Sequence, residues 1–106
     1  MNPHDEIQYI VDMIDDYAYL DGKLAELETQ KSAIKALEMK NSSQPSIVGK
    51  EMDALASDAF MGYIEQYQNI KCRHTAMKLK IETAKLKIEV WRTEQATNRQ
   101  MEKITR

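Results

Sequence analysis

Six cations recur at seven-residue intervals in the last third of the chain: Lys71, Lys78, Lys85, Arg92, Arg99 and Arg106. On an α-helix a seven-residue step is nearly two turns. The six therefore share one edge, spaced about 10.5 Å apart. Arg73, Lys80 and Lys87 form a parallel row. Ammonium and guanidinium groups set along a rod suit the neutralisation of repeated anions such as backbone phosphates. Each neutralised charge releases counterions, so such binding weakens as salt rises. The competing account is ion pairing, because basic residues beside a helix–helix seam usually meet carboxylates on the facing helix. The first part of the chain offers Asp16, Asp21 and Glu28 there, but also Lys23 and Lys35, too few acids for nine bases. Glu82, Glu89 and Glu102 are spaced to neutralise some cations within their own helix.

Other chemistries have less support. His74 falls at a seam position beside Arg73, where a histidine is more often packed than catalytic. His4 has no companion ligand. The single cysteine, Cys72, excludes an intrachain disulfide and a cysteine cluster for zinc. There is no glycine-rich phosphate loop and no nucleophile elbow. Asp12, Asp15 and Asp16 read as a solvated face, since paired carboxylates need a cleft to act as acid and base. These readings argue against an enzyme, a cofactor, a metal or a small-molecule substrate.

The elements that must position the cations follow from hydrophobic periodicity. "KLKIETAKLKIEVW", Lys78 to Trp91, repeats the word Lys-Leu-Lys-Ile-Glu after seven residues. With Ile81 and Ile88 at heptad position a, the a row is Phe60, Tyr67, His74, Ile81 and Ile88. The d row is Tyr63, Ile70, Met77, Ala84 and Trp91. Five unbroken heptads predict a long helix over 58–104 with a coiled-coil-like seam. An earlier helix over 3–40 carries Ile10, Met13, Tyr17, Leu20, Leu24, Leu27 and Ile34 in the same rhythm, with Lys31 interrupting it. Asn2 is placed to cap it, Pro3 suits its first position, and Asp5 and Glu6 suit its first turn. "NSSQPS" at 41–46 breaks the helix, because Pro45 disfavours helical backbone at Gln44. A short helix over 47–56 follows, with Val48, Met52, Leu55 and Ala56 on one side. Ser57 or Asp58 then caps a bend. The expected fold is all-α: an antiparallel, coiled-coil-like helical hairpin with a short connecting helix, one domain over 1–106 that oligomerises.

The repeat also produces a second apolar stripe. Cys72, Leu79 and Leu86 occupy f positions and Ala76 and Val90 occupy c positions, roughly opposite the seam. The 47–56 helix or a bent first helix could cover it within the chain. A subunit interface is the favoured alternative, because exposed aliphatic stripes mark contact surfaces.

Composition agrees with this architecture. The chain has 106 residues, with only 3 Gly, 2 Pro and 30 % charged residues, the vocabulary of long helices. Its net charge of −2 hides a division. Residues 1–65 carry 13 acids and 5 bases, whereas residues 66–106 carry 4 acids and 10 bases. Such asymmetry suggests faces with different partners, or segments that attract one another. No apolar run approaches the roughly 20 residues needed to span a bilayer. "MNPHDEIQ" is too acidic and polar for a signal peptide, so a cytoplasmic setting without membrane contact is expected.

The order of segments carries a resemblance. A long helix ends "IKALEMK", a polar connector follows, then the short "VGKEMDALASDAF" segment and a long helix closing in "KLKIEVWRTEQATNR". Over roughly residues 20–95 this layout resembles small phage and prophage helical proteins of recombination and replication, and is similar to the phage recombination mediator (UvsY-like) family. It differs in its shorter chain and in the long helix continuing past Trp91. The resemblance implies an oligomeric, non-enzymatic accessory factor in a bacterial host. Such a factor binds single-stranded DNA and works with a recombinase or a single-strand-binding protein. Its expected nucleic-acid contacts are Lys71, Arg73, Lys78, Lys80, Lys85, Lys87, Trp91, Arg92 and Arg99, with Trp91 available to stack on a base. The expected oligomer interface is Cys72, Ala76, Leu79, Leu86 and Val90. The alternative is a coiled-coil adaptor that docks a protein helix on the Leu79/Leu86 stripe. A structural piece of a virion or secretion apparatus is a third reading.

Overall fold

The computed structural model describes residues 2–105. Asn2 opens the first helix as a cap: its Oδ1 accepts from the His4 N–H at 2.9 Å and its carbonyl from the Asp5 N–H at 3.1 Å. Pro3 has no N–H to leave unsatisfied in that first turn. Helix α1 spans Pro3–Lys40, α2 spans Ile47–Ala56 and α3 spans Asp58–Thr105. Together they make an all-α helical hairpin, with no strand among the described residues.

Two side chains set the breaks. Ser46 Oγ accepts from the Gly49 N–H at 3.0 Å and begins α2. A Cβ at Gly49 would lie 3.0 Å from both Ser46 Oγ and Gln44 Cβ, so the absence of a side chain lets the connector fold back this tightly. Ser57 ends α2 and starts α3. It is extended (φ −68°, ψ 151°), donates to the Ala54 carbonyl at 2.7 Å and accepts from the Phe60 N–H at 3.2 Å. The bend expected at 57–58 is therefore present, and Ser57 rather than Asp58 caps it.

The chain divides into two compact units. In the first, Ala18–His74, Leu20, Leu24 and Leu27 of α1 pack with Ala54 of α2 and with Phe60, Tyr63 and Ile70 of α3, all buried. Full burial of each such aliphatic or aromatic side chain is worth about 1.5–3 kcal/mol. Tyr63 Oη donates to the Leu27 carbonyl at 2.7 Å, Tyr67 Oη to Glu28 Oε1 at 3.4 Å, and His74 Nε2 lies 3.0 Å from Asp21 Oδ1. Later residues of α3 meet earlier residues of α1, which is the antiparallel arrangement. Phe60, Tyr63 and Tyr67 make two tilted ring contacts in series, with centroids 5.8 and 6.2 Å apart. Burial raises the Tyr63 pKa above 10.0, reinforced by Tyr67 and then by Glu28.

Helix α2 places its apolar side outward. Ala54 is fully buried, whereas Ile47, Val48, Met52 and Leu55 remain exposed. Ser42 Oγ donates to Asp53 Oδ2 at 2.6 Å and Lys35 Nζ lies 4.0 Å from Glu51 Oε1. These ties hold α2 in an orientation that buries Ala54 and leaves its larger apolar side chains in solvent.

In the second unit, Met1–Tyr17 with Thr75–Arg106, the seam is thinner. Ala84 is its one fully packed residue among those described. Tyr9, Ile10, Met13, Met77, Ile81, Ile88 and Trp91 are half-buried around it. Lys87 Nζ lies 3.5 Å from Glu6 Oε1, close to the start of α1. Beyond Trp91 the described residues of α3 are exposed apart from Gln95. The heptad rows account for this change: Gln95, Asn98 and Glu102 follow Trp91 where seam residues would stand.

Candidate nucleic-acid interface

The basic positions of the second unit lie on a helix edge fixed by the seam. Ile81, Ala84 and Ile88 turn inward. The 3.6-residue period then delivers Lys78, Lys85 and Arg92 to one flank of α3 and Lys80 and Lys87 to the other. The surroundings show the two flanks. Lys78 and Lys85 line a groove with Ile10, Ile14, Tyr17 and Ile81. Lys80 and Lys87 line a different groove with Asp5, Glu6, Tyr9 and Leu79.

Few of these cations are engaged. Lys87 meets Glu6 across the seam, and Arg92 Nη1 meets Glu89 Oε1 of its own helix at 3.1 Å. Arg92 and Glu89 are both largely exposed, and in the other pair Lys87 is exposed while Glu6 is half-buried; surface pairs are worth at most about 1 kcal/mol. Among the described residues no carboxylate lies within 4.0 Å of Lys78, Lys80, Lys85 or Arg99. In the other unit, Lys71 and Arg73 are also exposed and have no carboxylate partner among the described residues. Arg106, the last member of the row, lies outside the described residues. An edge of this kind can hold phosphates electrostatically. It presents no constellation for reading bases.

Trp91 is half-buried at the end of the seam, beside a groove lined by Leu86, Lys87, Val90 and Glu94. Part of its indole is thus available to a stacking partner while the rest packs. His74 is buried and faces Asp21. Cys72 is exposed. Among the described residues no His, Cys, Asp and Glu cluster could hold a metal ion, and no helix is long and apolar enough to cross a membrane.

The second stripe lies open. Leu79 is 56 % exposed and Leu86 64 % exposed, and Val90, Cys72 and Ala76 are exposed too. Within its own unit, α1 leaves it uncovered. α1 carries a counterpart that the heptad reading passed over. Ile7, Val11 and Ile14 are each about half exposed (47–53 %). Their spacing of four then three residues is a helical stripe in its own right. It was masked because attention to positions a and d assigns these residues to the solvent side.

Comparisons with protein-family models, with curated proteins and with solved structures found no match to this chain.

Proposed function

We propose that this protein is a non-enzymatic accessory factor of nucleic-acid recombination or replication, which self-associates and binds single-stranded DNA through the basic edge of α3. The observation that carries this reading is the exposure of Lys78, Lys85 and Arg99 with no carboxylate partner among the described residues. Ion pairing, the main competing use for such a row, takes up only Lys87 and Arg92 of the second unit's basic positions among the described residues. One hairpin offers a few phosphate contacts and binds weakly. Aligned copies raise the effective concentration of cations, and the uncovered Leu79/Leu86 stripe supports such alignment. Lys78, Lys85, Arg92 and Arg99 would hold the backbone, with Trp91 stacking on a base. A recombinase or a single-strand-binding protein is the fitting protein partner, and a bacterial cytoplasm the fitting compartment.

The test is retention of a labelled single-stranded oligonucleotide by the purified chain at low and moderate salt. The proposal expects binding at low salt, a steep loss with added salt, and weakening by Lys78→Glu with Lys85→Glu. Absence of binding at low salt overturns it.

A second reading is favoured by α2, whose Ile47, Val48, Met52 and Leu55 face solvent. In that reading the protein is an adaptor that docks protein helices on its apolar faces and uses its lysines for solubility. It expects little oligonucleotide binding, and a protein partner lost on Leu79→Asp with Leu86→Asp.

A further inference from the structure

Two apolar stripes of the same unit share one spacing. On α1, Ile7, Val11 and Ile14 follow at steps of four and three. On α3, Leu79, Thr83 and Leu86 do the same, with Val90 four residues further on. Thr83 does not interrupt its stripe, because its hydroxyl is turned back to donate to the Leu79 carbonyl at 2.8 Å. All of these residues are exposed.

The stripes look to different flanks. Ile14 borders the groove that holds Lys78 and Lys85, whereas Leu79 borders the groove that holds Lys80 and Lys87. Their borders differ in sign. The open side of the α1 stripe is edged by Asp12 and Asp15, and one side of the α3 stripe is edged by Lys80 and Lys87.

We infer that the occupant of the α3 stripe is the α1 stripe of a second copy of this chain. Matched spacing lets the side chains of one helix enter the gaps of the other. Apolar surface on both sides leaves water, and Asp12 and Asp15 of one copy meet Lys80 and Lys87 of the next. The reversed docking would bring Lys78 and Lys85 of one copy against Lys80 and Lys87 of its neighbour, and like charges oppose it. Since the patches differ and face different flanks, the contact is head-to-tail. An open assembly keeps one free α1 stripe at one end and one free α3 stripe at the other, so growth continues into a ring or a filament. Successive copies then present their cations in the same sense. The inference rests on the self-association part of the proposed function and does not require DNA.

The experiment is disulfide trapping of the purified full chain without DNA. In a Cys72→Ser background, Val11→Cys and Thr83→Cys are prepared separately, one with a mass tag. Copper–phenanthroline is added to each variant alone and, in a separate sample, to the reduced variants after mixing. Both positions are exposed and central to their stripes, so the pairing is read whichever way the helices run. The expected result is a rapid cross-link in the mixture only. A Thr83→Cys or Val11→Cys homodimer forming as fast as the mixed species overturns the inference in favour of a two-fold contact. Absence of any cross-link overturns it as well.

Charge exchange supplies a second route. Asp12→Lys with Asp15→Lys should weaken self-association by at least about tenfold, as like charges are brought together. Lys80→Asp with Lys87→Asp in the other copy should restore it. Loss without restoration overturns the pairing. Oligonucleotide binding by a chain that fails these tests sinks only this inference. A cross-linking chain that ignores oligonucleotides sinks only the DNA reading.

Discussion

Tyr63 donates its phenolic hydrogen to the carbonyl of Leu27, 2.7 Å away and 36 residues distant in sequence. The bond ties the polar tip of a buried ring to a helix backbone and fixes α3 against α1 in register. Leu27 is only 1 % exposed, so the bond lies within the packed core of its unit. Tyr63→Phe removes the bond and keeps the ring. Denaturant unfolding should show a loss of about 0.5–1.5 kcal/mol, the usual net worth of one such bond.

The same tyrosine gives the fold an alkaline limit. Its folded-state pKa is raised, chiefly by burial, then by Tyr67 and Glu28. The folded chain therefore holds the proton more tightly than the unfolded chain does. Its contribution is whole below the unfolded value near 10.0 and is lost as pH rises from there through the folded value. Thermal melts across pH 9–12 should fall more steeply for the native chain than for Tyr63→Phe.

Gly22 lies inside α1, is exposed, and has nothing within 4 Å of the place a Cβ would take. Gly22→Ala should stabilise the chain by about 0.5–1 kcal/mol through reduced backbone freedom in the unfolded state. A rise in the denaturation midpoint at unchanged slope checks it.

Residues 92–105 of α3 have almost no packing to hold them, while Ala84 and Ile88 sit in the seam. Isolated helices of this length are marginal in water. Amide exchange should therefore be fast after Trp91 and slow around Leu24, Leu27 and Tyr63, reporting opening free energies near zero in the first case and near the global value in the second. Equal protection along α3 would show that something else covers its end.

For the DNA reading, the slope of log affinity against log salt is the informative quantity. Lys78→Glu with Lys85→Glu removes two candidate phosphate contacts. The slope should become shallower by about 1.4, at roughly 0.7 per contact on single strands. Lys23→Glu, on α1 beside Glu26, should leave the slope unchanged.

Much of the fold was legible because helix signals are local. The seam of α3 could be read from Phe60 to Trp91 because burial on a helix recurs with the heptad, and a residue's neighbours at three and four positions reveal its face. Pro45, Ser46 and Ser57 marked the breaks through backbone chemistry confined to a few residues. The candidate interface was legible only as a set of positions. That Lys87 turns to Glu6, while Lys78 and Lys80 have no such partner among the described residues, depends on which acids the other helix brings near; the Arg92–Glu89 pair, three residues apart on α3, follows from spacing alone. The outward face of α2 was hidden for a related reason: its sequence shows an apolar side without showing where a six-residue connector will point it.

The sequence by itself determined the three helices, the places where they end, and the residues that form each apolar row, since all of these follow from propensity, capping and periodicity along the chain. Only the tertiary structure decided that the Leu79/Leu86 row stays uncovered, that Ile7, Val11 and Ile14 form a second open row, and which cation meets a carboxylate of the other helix. Whether a surface is covered is a property of pairs of segments distant in sequence, and no short-range pattern records the outcome of that pairing.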